Sequence, residues 1–159
     1  QALADRYVGK AADEDVLSRG IGEGVIKVIP CPTAAAVVGG IAGEIDRLRA
    51  EGLAAHDIAV LSLRGRGAAG TVVHLDRIGG HRVVPADDPT MGEHVVCDTF
   101  LRFKGLERPA IIVTDLPGAD QRQHGVRMHI ALTRAMDVVR VVATRESIQA
   151  DQMIGRVGG

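Results

Sequence analysis

The residues best suited to ligand chemistry lie in one continuous stretch, positions 94 to 144. The apolar run HVVCDT ends at Thr99, FLRF follows, and then come Lys104, Gly105, Leu106 and Glu107 ahead of a second apolar run, AIIVTD at 110–115. A strand that stops at Thr99 delivers a hydroxyl and a run of backbone N–H groups to the carboxyl edge of a sheet, where open α/β sheets bind ligands. Gly105 has no Cβ and permits close backbone approach. The Glu107 carboxylate can accept hydrogen bonds from a ribose hydroxyl. Phe103 and Leu106 are expected to pack inward. Further on, Leu132, Thr133, Arg134 and Ala135 lead from a short helix into an apolar run at 138–143 (VVRVVA).

An earlier stretch, GRGAAGT from Gly65 to Thr71, imitates a phosphate-binding loop, with two glycines and a threonine between a strand and an expected helix. It lacks the lysine whose ammonium must reach the β and γ phosphates, because Thr71 follows Gly70 directly. Two readings remain for Arg64 and Arg66. They are solvated loop residues, or they contact the phosphate backbone of a nucleic acid from the carboxyl end of a strand.

These residues need a frame, and the periodicity supplies one. Residues 25–30 (VIKVIP) form the expected first strand, ended by Pro30 and Pro32. Thr33 is the expected N-cap of a helix with Val37, Ile41, Ile45 and Leu48 on one face and a stop at Gly52. Asp57 introduces a strand (IAVLSL), and 71–78 is expected to be a helix ending at Gly79 and Gly80. Short strand signals follow at 82–85, then strands at 94–99, 110–115 and 138–143, with a loop at 117–123 and a helix near 126–136 between the last two. Alternating strands and helices build a mostly parallel sheet flanked by helices, an α/β fold.

Composition bounds the possibilities. A chain of 159 residues suits one domain with a full core, and its apolar content of 46% is almost wholly aliphatic, with one Tyr, two Phe and no Trp. No apolar run approaches the roughly 20 residues that span a bilayer, so no membrane role is expected and the cytoplasm is the expected location. Cys31 and Cys97 stand far apart with no metal-ligand spacing and are read as buried thiols. A net charge of −1 neither favours nor excludes nucleic-acid binding, since a domain can hold a strand through only a few phosphates. The chain opens at Gln1, inside an expected helix (QALADRYVG), which suggests a segment of a longer polypeptide.

The pair T-x4-K-G-L-E and L-T-R-A, in that order and each beside an apolar strand, resembles the second RecA-like domain of superfamily 1 helicases of the UvrD type. The resemblance covers 95–143 closely and most of the chain loosely, so 1–159 is expected to be one RecA-like, three-layer motor domain. It implies an ATP-dependent DNA helicase or translocase in which Gly105, Glu107 and Arg134 contact ATP. Arg134 would act as a catalytic finger on the γ phosphate, a task suited to a permanently charged guanidinium whose fork matches phosphate oxygens. Thr99, Arg64, Arg102, Lys104 and Thr133 are the expected contacts to single-stranded nucleic acid, DNA or RNA. Thr133 either holds Arg134 in place or touches the strand. Lys104 is equally a helix-end charge or an ion-pair partner.

The sequence has no Walker lysine and no D-E pair after a strand. ATP and Mg2+ are therefore expected to be held mainly by an N-terminal RecA-like domain of the same polypeptide, and the fragment alone should hydrolyse nothing. One position departs from the family: its usual histidine, two residues after the threonine, is Leu101 here. Leu101 either packs, or leaves the contact to Arg102 by charge or Phe103 by base stacking. This departure keeps open an alternative, a degenerate helicase-like domain that binds nucleic acid or protein without ATPase function. A Rossmann-like domain is a weaker alternative, because Gly22–Gly24 (GEG) precedes the first strand instead of following it.

Overall fold

The aliphatic runs assemble into a seven-stranded sheet in the computed structural model, which describes residues 20–65, 67–103, 106–116 and 135–151. The strands are β1 (Ile26–Cys31), β2 (Ile58–Ser62), β3 (Arg77–Ile78), β4 (His81–Val84), β5 (Val95–Thr99), β6 (Arg108–Thr114) and β7 (Ala135–Thr144). Their order across the sheet is β1-β7-β6-β2-β5-β4-β3. Every neighbouring pair is parallel except the β3–β4 hairpin. The sheet is thus mostly parallel, and the α/β class expected from the alternating pattern holds. The arrangement is consistent with a RecA-like domain.

Alternation along the strands splits the core in two. Leu61, Ile111, Val113, Val139 and Val141 face one side, with Phe100, Phe103 and Ile148. Val60, Cys97, Ile112 and Val142 face the other, beneath helix α1 (Ala34–Ala50). Thr33 caps α1 by accepting the Ala36 N–H at 3.2 Å, and Val37, Ile41, Ile45 and Leu48 form its buried stripe. Gly52, at φ +106°, ends the segment as its sequence position suggested. Ile148 lies on α2 (Arg145–Ala150), which Thr144 caps on leaving β7. Both thiols are buried, and burial pushes the Cys97 thiol up to about 12.

Two expectations are corrected. Residues 71–78 are not a helix: a single 3-10 turn at Val72–His74 leads into β3. The Gly79–Gly80 pair then makes a two-residue hairpin turn into β4, with Gly79 at φ +62°. A Cβ on Gly79 would lie 2.7 Å from the Ala42 side chain, so sterics as well as dihedral favour glycine there. Ala135 and Met136, read as the end of a helix, open β7. The readings for 1–9 and 117–123, and the rest of the helix near 126–136, lie outside the described residues.

Candidate functional site

Because the strands are parallel, the expected site residues that are described divide between two opposite edges of the sheet: Arg64, Thr99 and Arg102 at one, Glu107 at the other. At the carboxyl edge, β2, β5, β6 and β7 end on Ser62, Thr99, Thr114 and Thr144. Thr99 is buried, and its hydroxyl accepts the Arg102 N–H at 3.3 Å, capping the turn that follows β5. Asp98 is fully buried and accepts the Ala86 N–H at 2.9 Å. Arg102 reaches Asp98 through Nε at 3.2 Å and pairs with Asp87 through Nη2. Those two carboxylates, Asp87 first, raise the guanidinium pKa further. Most of the Arg102 charge is committed to holding β5 against the loop after β4.

Phe103 lies wholly in the core, as its expected inward packing requires, which removes the alternative that it stacks on a base. Leu101 is 59% exposed, which corrects the reading that it packs. Leu106 packs against the core as expected.

Between the ends of β2, β6 and β7 and the start of α1 lies a cleft of about 190 Å³, lined by Ala34, Arg64, Thr114, Asp115, Thr144 and Ser147 among others. Specific small-molecule pockets occupy roughly 300–1,000 Å³. The described walls can therefore hold a single group of a ligand and not enclose a whole nucleotide. Arg64 is exposed on the rim. Its backbone is pinned from both sides by Ser62, whose hydroxyl accepts the Arg64 N–H at 3.2 Å and donates to the Arg64 carbonyl at 3.3 Å.

Asp115 follows β6 at φ +51°, a left-handed conformation unusual for a residue with a Cβ. Its Oδ2 accepts the Val72 N–H at 3.1 Å, so the glycine-rich loop is tied to the cleft at its far end too. Burial pushes the Asp115 carboxyl up, against the Val72 N–H, the Ser62 hydroxyl, Arg64 and His74. Thr114 is fully buried, and its Oγ1 has no hydrogen-bond partner among the described residues.

The amino edge carries the other set. Glu107 is exposed and stands immediately before β6. The next residue, Arg108, pairs with Ala135, the first residue of β7. The Arg108 Nε and Nη2 atoms are buried without hydrogen-bond partners among the described residues. Burial lowers its pKa, opposed by Asp57 at the start of β2. Gly105, Lys104, Thr133 and Arg134 lie outside the described residues; Ala135 is the chain neighbour of Arg134. Sequence reasoning missed Arg108, Thr114 and Asp115. A signal existed for each: Arg108 is a cation where an apolar strand begins, and Thr114 and Asp115 end a strand as Asp98 and Thr99 do.

No family model matches the chain, and neither does any curated protein. Among solved structures, the chain is similar to the C-terminal domain of a possible DNA helicase from Lactobacillus plantarum WCFS1. The two are 15% identical with a TM-score of 0.59 over 82% of this chain and 83% of that one. At that identity the likeness is one of fold.

Proposed function

We propose that the chain is the C-terminal motor domain of an ATP-dependent DNA helicase or translocase, one that completes an ATP site on a separate N-terminal RecA-like domain. The observation that carries this reading is the register of β6 against β7. Arg108 opposite Ala135 sets the strand start preceded by Glu107 beside the strand start preceded by Arg134. The helicase resemblance implies one ligand for those two residues, and they are 27 positions apart. The fold shared with the C-terminal domain of a possible DNA helicase supports the same reading.

The amino edge suits a nucleotide. An exposed carboxylate at Glu107 accepts a ribose hydroxyl, and buried guanidinium nitrogens on Arg108 have donors to give to phosphate oxygens. In this reading Mg2+ is held by the partner domain, which would carry the Walker residues that this sequence lacks. Bound ATP supplies the phosphoryl group whose hydrolysis drives the cycle. Arg134 places its fork on the transferring phosphate and neutralises charge that develops there. Thr99, Arg64, Lys104 and Thr133 serve the single strand, while Arg102 positions the end of β5. Closing the cleft between the two domains then moves the single strand that this domain holds.

The test is single-stranded DNA-stimulated ATPase activity of a polypeptide joining this chain to its Walker-containing partner, compared with the 159-residue chain alone. Turnover in the first and none in the second is expected; robust hydrolysis by this chain alone contradicts the reading. The exposure of Leu101, at the position where the family has a histidine, favours a second reading: a domain that binds nucleic acid without driving turnover. No turnover in the joined polypeptide with strand binding intact would select it.

A further inference from the structure

We infer that the carboxyl-edge cleft between α1, β6 and β7 is a subsite for one phosphodiester of a nucleic-acid strand, held by the first-turn amides of α1, the Thr114 hydroxyl and Arg64. The inference rests on the nucleic-acid reading above and adds Thr114 and the helix terminus, on the α1 face of the sheet that Thr99 shares through its register with Ser62.

Three independent features converge there. Helix α1 has 17 residues, and its N-terminus carries amides at Ala34 and Ala35 with no intrahelical acceptor. The Thr33 side chain satisfies Ala36 only. Ala34 and Ala35 are exposed, and Ala34 lines the cleft, so partial positive charge faces the space. Thr114 lines the same space, is fully buried, and has an Oγ1 with no partner among the described residues. A buried hydroxyl left unpaired is costly, and a ligand oxygen within the cleft relieves that cost. Arg64 lines the cleft too and is exposed, with its backbone fixed by Ser62.

The charge of the site selects the ligand. Asp115 lines the cleft as well, and its carboxylate opposes a second negative charge. One guanidinium and one helix terminus against one carboxylate suit a singly charged diester better than the dianion of a terminal phosphate. The cleft volume of about 190 Å³ admits a phosphate with part of its sugar and no more.

The test uses the 159-residue chain and a fluorescein-labelled oligothymidylate of about 15 nucleotides. Four variants serve: Arg64→Gln, Thr114→Val, Ala34→Glu and Lys27→Gln. Ala34→Glu adds an acid to the first turn of α1, which favours the helix while repelling an anion. Lys27, exposed on β1, controls for the loss of one charge. Affinity should fall about 3- to 10-fold in Thr114→Val. Arg64→Gln should lower the salt slope by about one, and Ala34→Glu should weaken binding at least as much as Arg64→Gln. Lys27→Gln should change little, and the oligonucleotide should shift the Ala34 and Ala35 amide resonances.

Undiminished binding by Ala34→Glu and Thr114→Val overturns the subsite and leaves the nucleic-acid reading standing. Binding of inorganic phosphate or free ATP to those amides in preference to the oligonucleotide overturns the diester assignment. No oligonucleotide binding by the parent chain overturns both.

Discussion

Arg108 and Ala135 face each other across the β6–β7 ladder, and a register shift follows at once, Ala110 pairing with Val138. The bulge gives β7 one extra residue just inside the amino edge, a common way of re-aiming side chains next to a site. The neighbours of this pair in the chain, Glu107 and Arg134, come from the two motifs that carry the helicase resemblance. If Arg108 lends its unpartnered donors to a nucleotide, Arg108→Gln in the joined polypeptide should weaken nucleotide binding with little loss of stability. Equilibrium titration with a fluorescent ATP analogue checks this, and unchanged affinity would remove Arg108 from the site.

The buried pair Glu44–Arg140 ties α1 to β7. Arg140 Nε lies 3.5 Å from Glu44 Oε1, both side chains are almost fully buried, and Arg47 pairs with the other Glu44 oxygen. Glu44→Ala strands the Arg140 charge and should cost about 3–5 kcal/mol in urea denaturation. The double change Glu44→Leu with Arg140→Met should recover most of that loss, because no charge is left buried. A double variant as unstable as the single one would mean that packing, and not the unpaired charge, sets the cost.

Asp115 should give stability an inverted pH dependence. Its folded carboxyl sits above the ordinary value of 3.8, so the native state binds the proton more tightly than the unfolded chain does. This contribution is largest below pH 3.8 and is lost as pH rises through the folded pKa. Asp115→Asn keeps an acceptor for the Val72 N–H and tolerates positive φ, so it should remove that pH step and leave neutral stability equal or higher. Asp115→Val should destabilise, since it strands the Val72 N–H and puts a β-branched residue at φ +51°. Thermal melts between about pH 4 and pH 8 decide it.

Leu101 offers a contrast. At 59% exposure it supports no core, so Leu101→His should change stability by less than about 0.5 kcal/mol. Any change in strand affinity or ATPase coupling then reports a surface role directly. A large loss of stability would show that Leu101 packs after all.

Much of this frame was legible because it is local. The strands around Val28, Val60, Val96, Ile112 and Val141 are aliphatic runs bounded by turn residues, and Thr33 with Val37, Ile41, Ile45 and Leu48 spells out a capped amphipathic helix. The stretch 71–78 misled because Val72, Leu75 and Ile78 keep helical spacing. What decides its shape is distant in sequence: Asp115 takes the Val72 N–H, and Gly79 packs against Ala42. The sequence names candidate site residues by their motifs, but their arrangement was not legible in it. Thr99 and Glu107 are eight positions apart and read as one motif, yet one ends a strand and the other precedes one, which sets them at opposite edges. Arg102 looked like a free cation because its partners Asp87 and Asp98 become visible only once β4 and β5 pair.

The most direct measurement is single-stranded DNA-stimulated ATPase turnover of the joined polypeptide, wild type beside Arg134→Ala, with nucleotide affinity measured in both. Loss of turnover by about three or more powers of ten with near-normal ATP binding is expected of a catalytic finger. Unchanged turnover in Arg134→Ala would contradict the catalytic role proposed for Arg134.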